Sequence, residues 1–327
     1  MTDLFFNPNY AKVYRHIDGQ EETFKLSCPY GNIINTYIKR EVPWKLDGDI
    51  YYDIVTPYGY GGPLASDITD INKLMEAYKK TFTSYCHEKH IICEFIRFHL
   101  FDNVDIREHY YGITTKQLDD IVVDTTEDYD TQTWMKFQHK VRKNVKKAIK
   151  SGLQIIIENN LTHISDFLDV YNKTMDRNNA KDYYYFKIDY FENIAKYLPE
   201  NYVFFHVLKD GKVISTELVL YADKYAYSFL GGTLADYYEF RPNDFLKNEI
   251  IKWCHQKQIQ KFVLGGGYCK DDGIYRYKKG FTQSPDVPFY TGCNIFDQKK
   301  YDEFVALRAL QDAEFNPNSN YFPLYRA

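Results

Sequence analysis

The first third of the chain alternates between the hydrophobic periods of strands and helices. The stretch DIYYDIV at 49–55 is typical of a strand, and the apolar run IICEFIRFHL at 91–100 is typical of a buried one. Between them apolar residues recur at helical spacing, and Asp67 is predicted to cap that helix. The helical stripe consists of Ile71, Leu74, Met75, Tyr78 and Phe82. The pattern predicts a strand, a glycine-rich loop, a helix and a strand.

The chain beyond residue 200 repeats this order of elements. Apolar stretches at 201–208 and 213–221 flank Asp210-Gly211, a dipeptide typical of a hairpin turn. Further strands are predicted at 224–232 and 261–267. The helix predicted between these two has an apolar face formed by Phe245, Leu246, Ile250 and Trp253. We interpret the repeated order as a duplicated α/β unit with mixed sheets.

A change in charge separates the two halves. The acidic segment at 119–130 is followed at once by TWMKFQHKVRKNVKKAIKSGLQ, which is predicted to be one amphipathic helix. Its apolar stripe comprises Trp134, Phe137, Val141, Val145 and Ala148, and its basic residues are Lys136, Lys140, Arg142, Lys143, Lys146, Lys147 and Lys150. We predict a first unit at 1–130, a second unit at 131–300 that opens with this helix, and a C-terminal segment, 301–327, that packs back on the first unit.

Composition limits the class of protein. A length of 327 residues suggests roughly two domains or one large one, and 44% hydrophobic residues suffice for a core. The net charge of −4 gives no general attraction for nucleic acid, so any polyanion site must be local. The cysteines include no CxxC pair, which is typical of reduced thiols. Residues 1–16 lack a signal-peptide pattern and no long apolar run occurs, so we expect a soluble cytoplasmic protein without membrane insertion.

The polar face of the basic helix is a candidate site for a polyanion. A solvated face is the ordinary interpretation of such a run of charges. However, like charges at i,i+4, such as Arg142 with Lys146, repel one another, and no acidic residue on the helix balances them. We therefore favour phosphate groups as the partner, whether of a nucleotide, a CoA, a lipid diphosphate or an RNA.

Two glycine-rich loops follow predicted strands. The first contains Tyr58, Gly59, Tyr60 and Gly61 and precedes a helix, where backbone N–H groups can approach an anion closely. A tight turn with positive φ angles explains the same glycines equally well. The loop matches neither GxxxxGK[ST] nor GxGxxG, so neither a P-loop nor a Rossmann site is predicted.

The second glycine-rich loop is the more informative. Gly265, Gly266 and Gly267 end a predicted strand, the position at which open α/β sheets bind ligands. Shortly afterwards, Tyr277 and Lys278 begin an aromatic-Lys-x-x-aromatic pattern that Phe281 completes. A lysine at a strand end can hold a phosphate or stabilise an oxyanion. The alternative is a surface lysine whose stem packs over a ring.

Other candidates are weaker. The segment Cys86-His87-Glu88-Lys89-His90 is interpreted as the end of an exposed helix, because no further ligands lie at suitable spacing, and no metal site is predicted. His99 is either a base or a histidine at the end of a strand, and we favour the latter. GxSxG, HExxH and EF-hand patterns are absent from the sequence.

Six stretches carry a resemblance to a known family. They are DIYYDIVTPYGYGGP, IRFHLFDN, KVRKNVKKAIKSGL, YNKTMDRNNAKDYYYF, SFLGGTLADYYEFRPNDFLKNEII and LGGGYCKDDGIYRYKKGF. Together they span roughly 45–305 in the family's order, and they resemble the FemABX-like branch of the GNAT acyltransferase superfamily. The resemblance implies an α/β fold of two tandem GNAT-like units packed around a shared groove.

The resemblance also implies site residues. Lys278 matches the lysine of the family's aromatic-lysine motif, which offsets negative charge on the substrate or oxyanion, and Asp272 and Tyr277 belong to the same motif. The remaining matches supply the binding residues. Arg142 and Asn144 match the RxN core of the basic helix, which Lys146 extends. Arg241, Pro242 and Asn243 match the loop that precedes the helix of the second unit. Arg97 and His99 lie where the family has an arginine-containing strand end.

We expect an N-acyltransferase that acts on an amine of a cell-envelope precursor, such as an amino sugar nucleotide or a peptidoglycan precursor carrying a diphosphate. The GNAT pyrophosphate loop, [QR]xxGx[GA], is replaced by EFRPND, so the co-substrate is left open between acyl-CoA and aminoacyl-tRNA. No tightly bound cofactor is expected. The alternatives are a tRNA-dependent peptidoglycan-bridge aminoacyltransferase, a non-catalytic module that binds a nucleotide sugar or polysaccharide by stacking on tyrosine rings, and an RNA-binding protein using the helix at 136–150.

Overall fold

The computed structural model describes residues 3–15, 19–46 and 48–327. Its strands are β1 (Gln20–Cys28), β2 (Gly31–Glu41), β3 (Tyr52–Val55), β4 (Leu64–Ser66), β5 (Ile91–Arg97), β6 (Ile113–Lys116), β7 (Ile121–Asp124), β8 (Gln154–Glu158), β9 (Tyr202–Lys209), β10 (Lys212–Tyr221), β11 (Tyr225–Thr233), β12 (Lys261–Gly265) and β13 (Tyr290–Ile295). Its α-helices are α1 (Pro8–Val13), α2 (Ile71–Glu88), α3 (Val104–Glu108), α4 (Trp134–Lys136), α5 (His139–Lys150), α6 (Ile164–Arg177), α7 (Ile188–Tyr197), α8 (Pro242–Gln256), α9 (Gly273–Lys279) and α10 (Gln298–Gln311).

The chain divides into two compact units. The first unit is Phe5–Gln117 with Phe289–Ala327, and the second unit is Met1–Leu4 with Leu118–Pro288. Strand pairing explains why these limits differ from the predicted boundaries at 130 and 300. β7 pairs with β12 in the sheet of the second unit, while β13 pairs with β5 and β6 in the sheet of the first. The last helix and the C-terminal residues also pack in the first unit, where Phe304 and Tyr325 join one of its apolar clusters.

The sheet of the first unit is mixed. Its strands follow the order β1-β2-β3-β5-β13-β6, with β4 paired to β2. β3 and β5 are parallel and are joined through α2, whose apolar stripe is buried beneath the sheet's aromatic residues. The prediction that Asp67 caps α2 is wrong. Asp70 is the N-cap and accepts from the backbone N–H of Lys73, while Asp67 has a φ of 52° and its carboxylate accepts from Asn32.

The second unit also has a mixed sheet, in the order β7-β12-β11-β10-β9-β8. The predicted hairpin is confirmed, because Asp210 and Gly211 join β9 to β10 and both have positive φ. β11 and β12 are parallel and are joined through α8. Helices α5 and α8 pack on one face of the sheet around Phe205 and Ile250. The predicted fold class, α/β with mixed sheets and a repeated order of elements, is confirmed.

The basic segment is not the single helix that its pattern predicts. One irregular turn at Tyr129–Thr133 leads into the short α4, and the backbone then extends at Phe137, whose ψ is 140°. The regular helix α5 begins only at His139. Phe137 is nevertheless buried, and it packs edge-on against Phe281 with ring centroids 5.4 Å apart. This contact and the hydrogen bond from the backbone N–H of Gln138 to the carbonyl oxygen of Gly280, at 2.8 Å, hold the broken segment in place.

Two further expectations concern cysteines and the membrane. All six cysteines are free thiols, as predicted. Across the described ranges, no helix has both the length and the apolar character needed to cross a bilayer. The expectation about residues 1–16 rests partly on Met1, Thr2 and His16, which lie outside the described residues.

Candidate active site of the second unit

The parallel strands β11 and β12 part at their carboxyl ends. They pair only where Tyr225–Tyr227 meet Lys261–Val263. Beyond this point β11 continues to Thr233 along β10, and β12 continues to Gly265 along β7. The carboxyl ends of two parallel strands therefore lie unpaired with each other, and such a place in an α/β sheet is where ligands bind.

Lys278 lies at this place. It is carried by α9, and its Nζ donates to the carbonyl oxygen of Gly266 at 2.7 Å. Burial, together with the positive charge of Lys247, lowers the pKa of Lys278 to about 8 against the opposing effect of Asp120, Glu217 and Asp272. Lys278 therefore carries its positive charge at pH 7 and loses it as the pH rises through about 8.

A buried ion pair accompanies Lys278. Lys247 of α8 donates to both carboxylate oxygens of Glu217 on β10 and, at 2.6 Å, to the hydroxyl of Ser228 on β11. Lys247 is 8% exposed and Glu217 only 4%. The sequence analysis did not predict this ion pair. The available signal was the glutamate in the apolar stretch VISTELVLY, because a charge within a buried strand requires a partner.

Tyr277 presents a buried hydroxyl to the same region. Its Oη has no hydrogen-bond partner among the described residues, and its ring packs edge-on against Phe281 at 5.4 Å. Burial raises the pKa of Tyr277 well above its usual value, and the negative charges of Asp244 and Glu217 act in the same direction. The group is thus a neutral phenol with an unused donor, and such a donor can bind a substrate oxygen.

Asp272 holds the loop to the helix that carries Lys278. Its carboxylate accepts from the backbone N–H groups of Tyr275 and Tyr268 at 2.6 Å, and from that of Cys269 at 3.2 Å. The hydrogen bond from Tyr275 contributes most to lowering the pKa of Asp272. Since Asp272 is the N-cap of α9, these bonds give it a positioning role.

The three glycines at the end of β12 and just beyond it, Gly265, Gly266 and Gly267, lie near this helix cap. A Cβ on Gly267 would come within 2.6 Å of an Asp272 carboxylate oxygen, and Gly265 has a φ of 76°. A side chain at 267 would therefore displace the cap, and one at 265 would be strained. The glycines allow the loop to lie close enough for Gly266 to accept from Lys278.

The predicted basic-helix residues separate into internal and exposed groups. Arg142 donates from Nη1 to the carbonyl oxygens of Met135 and Phe137, at 2.8 and 2.6 Å, and so holds the break before α5. Asn144 donates to the buried carboxylate of Asp244 on α8 at 3.2 Å. Lys146 is exposed. Of these three residues, the structure places only Lys146 where its charge faces solvent.

Arg241 and Asn243 lie at the start of α8. Arg241 is exposed and has a left-handed backbone, with φ 62° and ψ 42°. The side chain of Asn243 accepts from the hydroxyl of Thr233 at the end of β11 and, more weakly, from Ser215 at 3.4 Å. Asn243 thus joins α8 to the end of β11.

The other predicted binding residues belong to the first unit. There Arg97 donates from Nε to the carbonyl oxygen of Gly59 at 2.9 Å, and its guanidinium lies over the ring of Tyr58 at 5.6 Å. Tyr60 packs edge-on against Phe5 at 5.4 Å. These contacts tie the glycine-rich loop to the surrounding structure.

The carbonyl groups of the same loop are also engaged. Gly61 accepts from the backbone N–H of His99 at 3.1 Å and from the side-chain amide of Asn103 at 2.8 Å. His99 is buried, and its Nδ1 accepts from the backbone N–H of Asp102 at 3.0 Å. Gly59 and Gly62 have φ angles of 97° and 88°, which fit the tight-turn interpretation of this loop.

Comparisons with known proteins address the family and the fold. Residues 135–279 match the model of the acetyltransferase (GNAT) domain. The fold of the chain is similar to that of FemX, with a TM-score of 0.72 at 13% identity over 92% of this chain and 94% of that one. It is also similar to the C-terminal domain of a putative lysylphosphatidylglycerol synthetase from Agrobacterium fabrum, with a TM-score of 0.57 at 15% identity over 93% and 91%.

A third solved structure, L-PGS from Bacillus licheniformis, aligns with a TM-score of 0.54 at 11% identity over 83% of each chain. No curated protein matches the sequence. The protein is therefore one of GNAT fold whose matched domain includes Lys278. Its resemblance to the FemABX-like branch of the GNAT superfamily is confirmed in the fold.

Proposed function

We propose that this protein is an N-acyltransferase that transfers an acyl or aminoacyl group to an amine of a cell-envelope precursor. The observation that carries the proposal is Lys278, a lysine with a lowered pKa at the parted ends of two parallel strands. Acyl transfer develops negative charge on the carbonyl oxygen, and a preorganised cation stabilises it. The relatives FemX and the putative lysylphosphatidylglycerol synthetase support a substrate of the cell envelope.

Each group has a role in this proposal. Lys278 offsets charge on the donor or on the oxyanion, and Tyr277 donates its unused hydroxyl proton to a substrate oxygen. Asp272 and the glycines at 265–267 hold the lysine in place. The amine nucleophile loses its proton to water or to a substrate group. The acceptor carries an amine and a diphosphate, and the reaction takes place in the cytoplasm.

The donor is acyl-CoA or aminoacyl-tRNA. The matched GNAT domain favours acyl-CoA as co-substrate. The exposed lysines of α5 favour tRNA, because Lys140, Lys143, Lys146, Lys147 and Lys150 face solvent on a helix without acidic residues. Arg241, at the start of α8, is a further exposed cation for a phosphate group.

Titration of the purified protein with acetyl-CoA by calorimetry tests the donor first. Saturable binding identifies a CoA thioester, and transfer to candidate amines is then measured. If acetyl-CoA does not bind, transfer from charged tRNA is assayed, and steep loss of binding with salt is expected for that donor. A protein that binds a saccharide but transfers no group from either donor is a binding module, and that outcome contradicts the proposal.

Replacement of Lys278 tests its role. We expect Lys278→Ala to lower kcat/KM by about 100- to 1,000-fold, the usual effect of losing an oxyanion-stabilising group. Lys270→Ala, which alters an exposed lysine of the neighbouring loop, serves as the control. In the wild type, kcat/KM should fall as the pH rises through about 8, because Lys278 then loses its charge. A folded Lys278→Ala protein with full turnover contradicts this role.

A further inference from the structure

Three possible metal ligands meet in the second unit, away from Lys278. Glu158 is the last residue of β8, His163 immediately precedes α6, and His206 lies in β9. One donor atom from each lies within 4.8 Å of the other two. The sequence analysis predicted no metal site, and it did not single out these three residues, which are separated along the chain.

Strand pairing brings these side chains together. Ile156 of β8 lies opposite His206 of β9, and Glu158 follows two residues later on the same face. The chain then turns into α6, and the backbone N–H of His163 donates to Glu158 Oε1 at 3.0 Å. The His163 ring places its Nδ1 2.8 Å from Glu158 Oε2. Glu158 thus lies between the two histidines.

The ring of His206 is oriented by a neighbouring hydroxyl. Its Nδ1 lies 2.8 Å from Thr216 Oγ1, and that hydroxyl donates to the carbonyl oxygen of Phe205 at 3.2 Å. The Thr216 oxygen is thus available to accept a hydrogen bond from Nδ1 of His206. In the tautomer that makes this bond, the other nitrogen, Nε2, carries the lone pair that a metal ligand requires.

This lone pair has no hydrogen-bond partner among the described residues. It lies 3.4 Å from Glu158 Oε1, a carboxylate oxygen that is also an acceptor. In this tautomer two acceptors, one on a buried residue and one on a partly buried residue, face each other and repel unless a cation lies between them. We propose that Glu158, His163 and His206 bind one divalent transition-metal ion, for which zinc is the best match.

Ligand chemistry selects the ion. Two imidazoles and one carboxylate suit zinc, whereas magnesium and calcium prefer oxygen ligands alone. Bond lengths of about 2.0–2.2 Å require the donor atoms to approach one another more closely than 4.8 Å, which small side-chain rotations supply. The bond from Nδ1 of His206 to Thr216 is the outer contact that fixes a ligating ring. The His163 side chain is 28% exposed, so an ion has access.

The site is structural rather than catalytic. His206 lies opposite Thr216 on the next strand, whereas Glu217, beside Lys278, is the following residue of that strand. Successive side chains of a strand point to opposite faces, so the metal ligands and the lysine cluster lie on opposite faces of the sheet. An ion here joins the edge strand β8 and the start of α6 to β9. Acyl transfer therefore does not depend on it.

Metal titration tests the proposal. Tag-free protein is stripped with a chelator, dialysed and titrated with Zn²⁺ by calorimetry, and elemental analysis gives the metal content. We expect one Zn²⁺ per chain and a melting temperature that rises with zinc. Co²⁺ in place of Zn²⁺ should give the visible absorption of a four-coordinate site.

The variants separate the ligands from their surroundings. Glu158→Gln and His163→Gln should abolish binding, and Thr216→Val should weaken it by about 10- to 100-fold, as loss of an outer contact does. His139→Gln, which alters an exposed histidine of the same unit, should bind zinc as the wild type does.

Two results overturn the proposal. One is a wild-type protein that fails to bind about one Zn²⁺ per chain. The three residues would then be a His-Glu-His cluster held by hydrogen bonds alone. The other is binding that is equal in wild type, Glu158→Gln and His163→Gln. His163 is partly exposed, so its variant remains informative if substitution of His206 prevents folding. Transfer assays with and without chelator measure the proposed activity separately.

Discussion

Each unit contains a parallel strand pair joined through a helix, and in each a cation donates to a glycine carbonyl. In the first unit Arg97 donates to Gly59 at 2.9 Å, and in the second Lys278 donates to Gly266 at 2.7 Å. Their surroundings differ. The guanidinium of Arg97 lies over aromatic rings, whereas Lys278 lies near a buried ion pair. The same topology thus supports a loop fixed by Arg97 in the first unit, and a lysine with a lowered pKa, Lys278, in the second.

The buried carboxylates show the same contrast. Glu217 in the second unit is paired with Lys247. Glu94 in the first unit accepts from the hydroxyls of Tyr110 and Tyr111, both at 2.9 Å, and no cation is paired with it among the described residues. Burial raises the pKa of Glu94 to about 7. In the first unit, burial therefore extends the protonated form of a carboxyl group up to about pH 7, whereas the second unit stabilises a carboxylate by pairing it with a lysine.

The largest expected effect comes from breaking the buried pair. Glu217→Gln leaves the ammonium of Lys247 without a counter-charge, and we expect the free energy of unfolding to fall by about 3–5 kcal/mol, measured by urea denaturation. The double variant Glu217→Gln/Lys247→Met should recover most of this loss.

The exposed pair Lys173–Asp169 of the same unit serves as the control. Asp169→Asn should change stability little, because exposed pairs contribute little. Equal losses of unfolding free energy in Glu217→Gln and Asp169→Asn contradict a stabilising role for the buried pair of Glu217 and Lys247.

The second prediction concerns Glu94 and pH. Its pKa is about 7 in the folded protein against an ordinary 4.5, so the folded state binds the proton more tightly. The resulting stability is fully present below pH 4.5 and is lost as the pH rises through 7, a total of about 3 kcal/mol. Glu94→Gln removes this titration. Its stability relative to wild type should rise between pH 4.5 and 7 and then level off, and a difference independent of pH would falsify the prediction.

The third prediction tests the glycine-rich loop of the first unit. Gly59 has a φ of 97°, and a Cβ there would lie 2.5 Å from the ring of Phe5. Gly59→Ala should therefore destabilise the protein by about 2 kcal/mol. Gly273→Ala in the second unit meets no atom within 4 Å and should be neutral or slightly stabilising in the same thermal unfolding experiment. Similar results for both variants argue against a strained turn at Gly59.

The smallest effect distinguishes two neighbouring cations of α5. Arg142→Ala leaves the carbonyl groups of Met135 and Phe137 without their donor, and we expect a loss of about 1–2 kcal/mol in unfolding free energy. Lys146→Ala should leave stability unchanged and should reduce only the affinity for a polyanion, measured over a range of salt concentrations. If Lys146→Ala lowers the unfolding free energy as much as Arg142→Ala does, the distinction between an internal Arg142 and an exposed Lys146 is wrong.

Local patterns predicted much of the fold. The hairpin at Asp210-Gly211, the stripe of α2 and the repeated order of strands and helices follow from turn chemistry and hydrophobic period, which act over a few residues. The pattern also singled out Lys278, because it lies in an aromatic-Lys-x-x-aromatic pattern shortly after three glycines at a predicted strand end. It could not predict the break at Phe137, which depends on a contact with Phe281 far along the chain.

The sequence by itself determined the mixed α/β class, the elements with a clear hydrophobic period, such as α2 and α8, and the segment that carries Lys278. Only the tertiary structure decided which charges are buried together. Strand pairing and helix packing bring together three such pairs. They are Lys247 with Glu217, Asn144 with Asp244, and His206 with Glu158. The pKa of a group and its fitness as a ligand depend on desolvation and on neighbours that are distant in sequence. Residue type and spacing along the chain give neither the desolvation of a group nor its distant neighbours. The sites could therefore be described only from the folded structure.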